Sequence, residues 1–159
     1  EVMGIDNDFG LAYAKSQISA GNSLPTGGLA FISLKDKHKH EGIDLAKKLI
    51  KLNFTLCGTE GTANAIRKGG IKCKKINKVS GGSPHIIDIL NAKKIALVIN
   101  TGGGKRAYRV QDSTSLRRAT LINKVPYCTN MSTAYACIEG IKSLKSKKIE
   151  VKAIQNIFN

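Results

Sequence analysis

Apolar runs alternate along the chain with helical periodicity and with polar, glycine-rich loops. This pattern predicts strands at 28–34, 54–57, 71–76, 94–99 and 125–128, with a last strand or tail at the C-terminal end. It predicts helices at 7–20, at 41–52, directly after the loop at 57–62, through residue 88, from about residue 113 and from about residue 132. The run KIALVI at 94–99 is the most continuous apolar stretch, as expected for the central strand of a parallel sheet.

Strands that alternate with helices through short loops indicate an α/β fold. We therefore expect a three-layer α/β/α, Rossmann-like sandwich with a mainly parallel central sheet. In such folds ligands bind beyond the carboxyl ends of the strands. The loops at 58–62, 79–84 and 100–106 would meet at that edge, and all three are rich in Gly, Thr, Ser and Asn.

The stretch CGTEGTANAIRKGG at 57–70 places two Gly-Thr steps between a strand and a helix. Backbone N–H groups at a helix start lack intrahelical partners, so they favour an anion, and Thr59 and Thr62 add hydroxyl donors. The loop has neither the GK[ST] of a Walker A sequence nor a GxGxxG pattern. Helix capping by Thr62 explains the same residues, so this loop alone leaves phosphate binding and capping equally open.

Further polar residues fall at the same predicted edge of the sheet. Lys39 lies in the first strand-to-helix turn, Lys78 ends a predicted strand, and Asn100 and Thr101 end the central strand. Each lysine alone is typical of a solvated surface, but several at one edge favour a phosphorylated ligand.

Charge and composition narrow the classes of partner. The 159 residues suffice for one domain with a core, and 26 Lys and Arg against 11 Asp and Glu give a formal charge of +15. That charge could serve a nucleic-acid module. Aromatic residues make up only 5% with no Trp, however, so a base-stacking platform is poorly supplied. A small phosphorylated ligand uses the charge better, and we expect no nucleic-acid partner.

Membrane and metal functions find little support in the sequence. No stretch reaches the roughly 20 apolar residues of a membrane span, and the first residues do not form a signal pattern. The cysteines at 57, 73, 128 and 137 contain no CxxC pair. We expect reduced cysteines in a cytoplasmic protein, without a metal site or a membrane partner.

Several longer stretches resemble the C-terminal allosteric domain of carbamoyl-phosphate synthase large subunits, within the methylglyoxal-synthase-like family. They are GTEGTA at 58–63, INKVSGGSPHIIDIL at 76–90, VINTGGGKRAYRVQDSTSLRRATL at 98–121 and VPYCTN at 125–130. The opening EVMGIDNDFGLAYAKSQ resembles the end of the preceding synthetase domain in those subunits. The resemblance implies a tail and linker at 1–26 and an allosteric domain at 27–159.

This resemblance implies a regulatory domain without catalytic or metal-binding residues, which binds UMP or IMP. The residues implied for the phosphate are Lys39, Thr59, Thr62 and Lys78. Those implied for the ribose and base are Ser33, Val79, Ile86, Asn100 and Thr101, and those on the ornithine side are Tyr127 and Thr129.

The implied parent enzyme makes carbamoyl phosphate from bicarbonate, ATP and a glutamine-derived amino group, for pyrimidine and arginine biosynthesis. This domain would hold no cofactor, whereas ATP and Mg²⁺ or Mn²⁺ belong to the parent enzyme. The implied partners are the rest of the large subunit and its small glutaminase subunit.

Two positions depart from the family's patterns. Gly102 stands where enteric bacterial relatives carry a second Thr, which removes one hydroxyl donor. Methylglyoxal synthases place a catalytic Asp after Gly-Gly, and this chain has Ser83-Pro84 instead, followed by His85. A serine without a neighbouring base is a poor proton acceptor. The alternative function is nevertheless a lyase that acts on dihydroxyacetone phosphate, and turnover dependent on His85 or Asp112 would favour it.

Overall fold

The computed structural model describes residues 1–102, 107–151 and 153–156, and their side chains except those of 80, 107–110 and 154. Its helices are α1 (Phe9–Ser19), α2 (Lys39–Lys51), α3 (Glu60–Lys68), α4 (Ile86–Asn91), α5 (Ala107–Ile122) and α6 (Met131–Ser146). Its strands are β1 (Gly28–Ser33), β2 (Phe54–Gly58), β3 (Lys74–Lys75), β4 (Leu97–Asn100) and β5 (Tyr127–Cys128). Single 3₁₀ turns lie at Asp36–His38, Val79–Gly81 and Ile154–Asn156.

The five strands form one parallel sheet in the order β3-β2-β1-β4-β5. The chain runs outward from β1 to β3 and then crosses back to β4 on the other side of β1. The strand order therefore reverses between β1 and β4, which is where parallel sheets open a ligand crevice. Here the register pairs Ser33 with Asn100, while Ile32 pairs with Gly58 of β2.

Apolar side chains cover both faces of the sheet, so the molecule has three layers. In β1 the alternation sends Ala30 and Ile32 into the cluster formed with α2, α3 and α6, and Phe31 into the cluster formed with α4 and α5. All four cysteines are free and buried within these two clusters. The predicted α/β/α sandwich with a parallel sheet is thus confirmed.

Helix α1 packs against α6 through a close backbone approach and a shared carboxylate. A Cβ atom at Gly10 would lie 2.3 Å from Ser143 Oγ, so glycine permits the contact. Asp8 caps α1 by accepting from the Leu11 N–H at 2.8 Å. The same carboxylate accepts from Ser143 Oγ at 2.6 Å and from Lys147 Nζ at 2.6 Å.

Some predicted elements differ in extent. The expected strand at 71–76 shortens to β3, two exposed lysines that pair only with Cys57 and Gly58 along the sheet edge. Helix α5 begins at Ala107, six residues before the predicted start at 113. Beyond Ser146, the described residues form the 3₁₀ turn at Ile154–Asn156 and not a strand. The described part of the chain contains no helix with the length and hydropathy that crossing a membrane requires.

Candidate functional site

A cleft opens at the carboxyl ends of β1, β2 and β4, where the strand order reverses. We distinguish two parts. The inner pocket, a cavity of about 330 Å³, is lined by Phe31, Ser33, Leu34, Lys35, Asp36, Thr59, Lys78, Val79, Ile86, Asn100, Gly102, Asp112, Ser113 and Leu116. The outer lobe is lined by Leu34, Asp36, Lys39, Thr59, Glu60, Gly61, Thr62, Lys75, Ile76, Asn77, Lys78 and Gly81. The two parts share Leu34, Asp36, Thr59 and Lys78, so they form one continuous cleft.

A chain of hydroxyls lines the cleft where α3 begins. Thr62 Oγ1 accepts from the Leu34 N–H at 2.9 Å and from Thr59 Oγ1 at 3.3 Å, and Ser33 Oγ lies 3.4 Å from Thr59 Oγ1. Thr59 occupies the N-cap position of α3, and its side chain makes no capping hydrogen bond. Thr62 lies inside the helix, so the capping role considered for it is wrong. Its hydroxyl ties α3 to the end of β1.

The cleft also gathers cations at the positive end of the α3 dipole. Lys39 begins α2, and its Nζ lies only 3.0 Å from where a Cβ at Gly61 would be, so the ammonium covers the first turn of α3. It also pairs with Asp36 at 2.6 Å. Lys78 is exposed and lines both parts of the cleft. Amides, hydroxyls and ammonium groups thus meet in one place, an arrangement suited to a phosphate.

The predicted ribose and base contacts divide into two groups. Ser33, Val79, Ile86 and Asn100 line the inner pocket. Thr101 is engaged elsewhere, because its hydroxyl accepts from the Lys35 N–H at 3.2 Å and meets His38 Nδ1 at 3.0 Å. It therefore holds the turn at Asp36–His38 against the end of β4.

The Asn100 side chain connects the loop that follows β4 to Tyr127 of β5. Its Oδ1 accepts from the Gly102 N–H at 3.0 Å, and its Nδ2 donates to the Tyr127 hydroxyl at 3.0 Å. A Cβ at Gly102 would lie 2.7 Å from Asn100 Oδ1, so the glycine allows this close contact. The remainder of the 100–106 loop, from 103 onward, lies outside the described residues.

The two residues predicted on the ornithine side lie in and just after β5, the edge strand that pairs with β4. Tyr127 is half-buried in β5, and the Arg117 guanidinium lies 6.0 Å from its ring centroid. Thr129 is exposed just beyond β5. The Tyr127 hydroxyl accepts a hydrogen bond from Asn100, which lines the inner pocket.

Three carboxylates that the sequence did not predict as binding residues line the cleft. Glu60, in the first turn of α3, pairs with Lys75 at 2.7 Å. Asp36 follows β1, and Asp112 lies on α5 with Ser113 and Leu116, which face the same pocket. The helical spacing of 112, 113 and 116 could have revealed this face. The sequence predicts a helix start at about 113, which leaves residue 112 outside the helix, so this face was not predicted.

The loop that replaces the lyase motif forms a helix cap. Asp88 Oδ2 accepts from the His85 N–H at 2.8 Å and from Ser83 Oγ at 2.9 Å. These two hydrogen bonds lower the pKa of Asp88, with the backbone donor contributing most. Ser83 and His85 therefore fix the start of α4, whereas Asp112 lines the inner pocket.

Comparison with known proteins agrees with this architecture. The family model described as "MGS-like domain" matches residues 41–129. The methylglyoxal synthase of Elizabethkingia anophelis NUHP1 superimposes with a TM-score of 0.56 at 16% identity, covering 81% of this chain and 97% of that one. At that identity the likeness concerns the fold alone.

Curated relatives match almost the whole chain. The carbamoyl phosphate synthase large chain of Mesorhizobium japonicum is 45% identical over 99% of this chain and 13% of its own length. Proteins described as its C-terminal section, from Methanopyrus kandleri and Aquifex aeolicus, are each 44% identical over 99% and 100% of this chain. The chain spans 29% and 30% of those two relatives. By the family model the chain belongs to the MGS-like domain family, and over almost its whole length it is similar to a part of carbamoyl phosphate synthase large chains.

Proposed function

We propose that this chain is the regulatory domain of a glutamine-dependent carbamoyl-phosphate synthase, and that its cleft binds a nucleoside monophosphate such as UMP or IMP. The names of the relatives support the first half of the proposal. The cleft supports the second half, because it joins a cationic, hydroxyl-rich lobe to a pocket with apolar walls.

The observation that carries the proposal is the division of chemistry within one cleft. The outer lobe combines the α3 N-terminus with Lys39, Thr62 and Lys78, which suit a phosphate group. The inner pocket has Phe31 and Leu116 among its walls, which suit a flat heterocycle. A mononucleotide carries both parts on one small molecule.

In the parent enzyme such a ligand would act by binding two enzyme states with different affinity. The domain itself would catalyse no reaction, and ATP and Mg²⁺ or Mn²⁺ would act in the synthetase domains. Ornithine would bind on the side of Tyr127 and Thr129, next to the rest of the large subunit. Carbamoyl phosphate would then feed pyrimidine and arginine biosynthesis in the cytoplasm, with glutamine nitrogen from the small subunit.

Calorimetric titration of the 159-residue chain with UMP and IMP tests the proposal. Replacing Lys78 by Ala should weaken binding about tenfold, because a charge-assisted hydrogen bond to phosphate is lost. Thr59→Ala should weaken it severalfold, and Thr59→Ser should restore it. Lys68→Ala, at the opposite end of α3, removes one charge and should change little. Unchanged affinity in both Lys78→Ala and Thr59→Ala would refute the phosphate assignment.

The competing function is a lyase that acts on dihydroxyacetone phosphate. The observation in its favour is Asp112, a carboxylate in the same cleft that could accept a proton. A direct assay for methylglyoxal separates the two functions. Turnover that disappears in Asp112→Asn would favour the lyase, and we expect none.

A further inference from the structure

Lys35 is the lysine that lines only the inner pocket, apart from the lobe proposed for the phosphate. We propose that its ammonium group selects nucleotides whose base carries a carbonyl oxygen, as in UMP and IMP, over those with an amino group in its place, as in CMP and AMP. This inference rests on the proposed function and names the group on the base that the inner pocket recognises.

The end of β1 directs the Lys35 side chain into the inner pocket. Phe31, Ser33 and Lys35 follow one another at a spacing of two, which places side chains of an extended chain on one face, and all three line this pocket. The backbone is still extended at Lys35, with φ −61° and ψ 155°. Lys35 therefore continues the face of β1 that lines the pocket.

Hydrogen bonds on both sides fix the backbone at this point. The Leu34 N–H donates to Thr62 Oγ1 at 2.9 Å, and the Lys35 N–H donates to Thr101 Oγ1 at 3.2 Å. The Thr101 N–H in turn donates to the Ser33 carbonyl oxygen at 3.0 Å. The Cα atom of Lys35 is thus held between α3 and the end of β4, and only its side chain remains to adjust to a ligand.

The charge of Lys35 is available to a ligand. Within the described part of the chain its ammonium group pairs with no carboxylate. The two carboxylates of the inner pocket are engaged within the protein, since Asp36 pairs with Lys39 at 2.6 Å and Asp112 also has a partner. Lys78 lines the outer lobe as well, where it suits the phosphate. Lys35 is therefore the cation that remains for the other end of the ligand.

The chemistry of an ammonium group decides which bases it favours. It carries N–H donors and no acceptor, so it binds a carbonyl oxygen and not an amino group. Uracil and cytosine differ in this way at one ring position, and hypoxanthine and adenine differ likewise. With the phosphate in the outer lobe, the base reaches the apolar wall that includes Phe31, on the same strand face as Lys35. One flexible lysine can thus recognise the same group on a pyrimidine and on a purine.

Calorimetric titration of the 159-residue chain with UMP, CMP, IMP and AMP tests the inference. The wild-type chain should bind UMP about fivefold more tightly than CMP, and IMP about fivefold more tightly than AMP, as expected for one charge-assisted hydrogen bond at an exposed site. In Lys35→Met, which keeps an unbranched side chain without the donor, both ratios should fall to about twofold or less. In Lys35→Glu the order should reverse, because a carboxylate accepts from the amino group.

A matched control separates recognition of the base from general electrostatics. Lys37 is exposed in the turn at Asp36–His38 and lines neither part of the cleft. Lys37→Met removes the same charge from the same segment and should leave both ratios at their wild-type values. Lys35 is itself exposed, so its variants should fold, and thermal melts check this.

Four results would overturn the inference. Equal wild-type affinity for UMP and CMP and for IMP and AMP would do so without any variant, while leaving the nucleotide proposal intact. Wild-type ratios in Lys35→Met would do so as well, and so would an equal fall of the ratios in Lys35→Met and Lys37→Met. Failure of all four nucleotides to bind would overturn the nucleotide proposal together with this one.

Discussion

The buried hydroxyl of Thr62 holds together the end of β1 and the start of α3, which border the cleft. Only 1% of this residue is exposed, and its Oγ1 accepts the N–H of Leu34 from the end of β1. It also receives the hydrogen bond from Thr59. One buried oxygen thus fixes both the strand end and the cap residue that borders the site.

Replacement of Thr62 by Val keeps the volume but removes that acceptor. The Leu34 N–H then stays buried without a partner, so unfolding free energy should fall by about 1–3 kcal/mol. Urea denaturation monitored by circular dichroism measures the change. Thr62→Ser retains the oxygen and loses only a methyl group, so the valine variant should be the less stable of the two. Equal or greater stability of Thr62→Val would contradict this account.

Much of the cleft could be predicted at the residue scale, because parallel strands end at the same edge. Eight of the predicted residues line it, namely Ser33, Lys39, Thr59, Thr62, Lys78, Val79, Ile86 and Asn100. Side-chain partners could not be read from the sequence. Thr101 is bound to Lys35 and His38, a pairing that depends on the turn at Asp36–His38. That these residues bind a nucleotide remains a prediction.

At the scale of elements, the contact between α1 and α6 depends on the ionised carboxylate of Asp8. Hydrogen bonds from Lys147, Ser143 and the Leu11 N–H hold its pKa far below the ordinary 3.8. A group whose pKa is lowered by folding stabilises the native state above its unfolded pKa. That stabilisation is lost as the pH falls through and below 3.8.

Asp8→Asn should lower the melting temperature at pH 7 by about 2–4 °C, through loss of the ion pair and of part of the cap. It should also reduce the decline of stability between about pH 5 and pH 2, because one carboxylate that titrates differently on unfolding is gone. Thermal melts across that range measure both effects. A wild-type slope in Asp8→Asn would contradict the linkage.

The extents of elements were predictable where apolar patterning is strong. The edge strand β3 is shorter than predicted because the apolar residues Ile71, Cys73 and Ile76 resemble a strand in composition, although only Lys74–Lys75 pair in the sheet. The start of α5 was missed because its first residues, from Ala107, follow a glycine-rich stretch and show no apolar periodicity.

At the scale of the whole molecule, the charge of +15 opposes compaction. Salt screens this repulsion, since the Debye length falls from about 30 Å at 0.01 M to about 8 Å at 0.15 M. Phosphate should add a second effect if it binds in the cleft of the native state, as the proposed function expects.

We therefore expect the melting temperature to rise by about 2–4 °C between 10 and 300 mM sodium chloride, and further in sodium phosphate of equal ionic strength. Differential scanning fluorimetry measures both increments. Lys78→Ala should lose much of the extra phosphate effect while keeping the chloride effect, and Lys68→Ala should keep both. Equal phosphate effects in these two variants would place the anion outside the cleft.

The hydrogen bond from Asn100 to the Tyr127 hydroxyl joins the end of β4 to the edge strand β5. A ligand that accepts this amide hydrogen of Asn100 would remove the donor to the Tyr127 hydroxyl, whose ring lies beside Arg117. The hydroxyl would then accept from water or from another donor. Ligand binding in the inner pocket would therefore change the environment of Tyr127 in the edge strand β5.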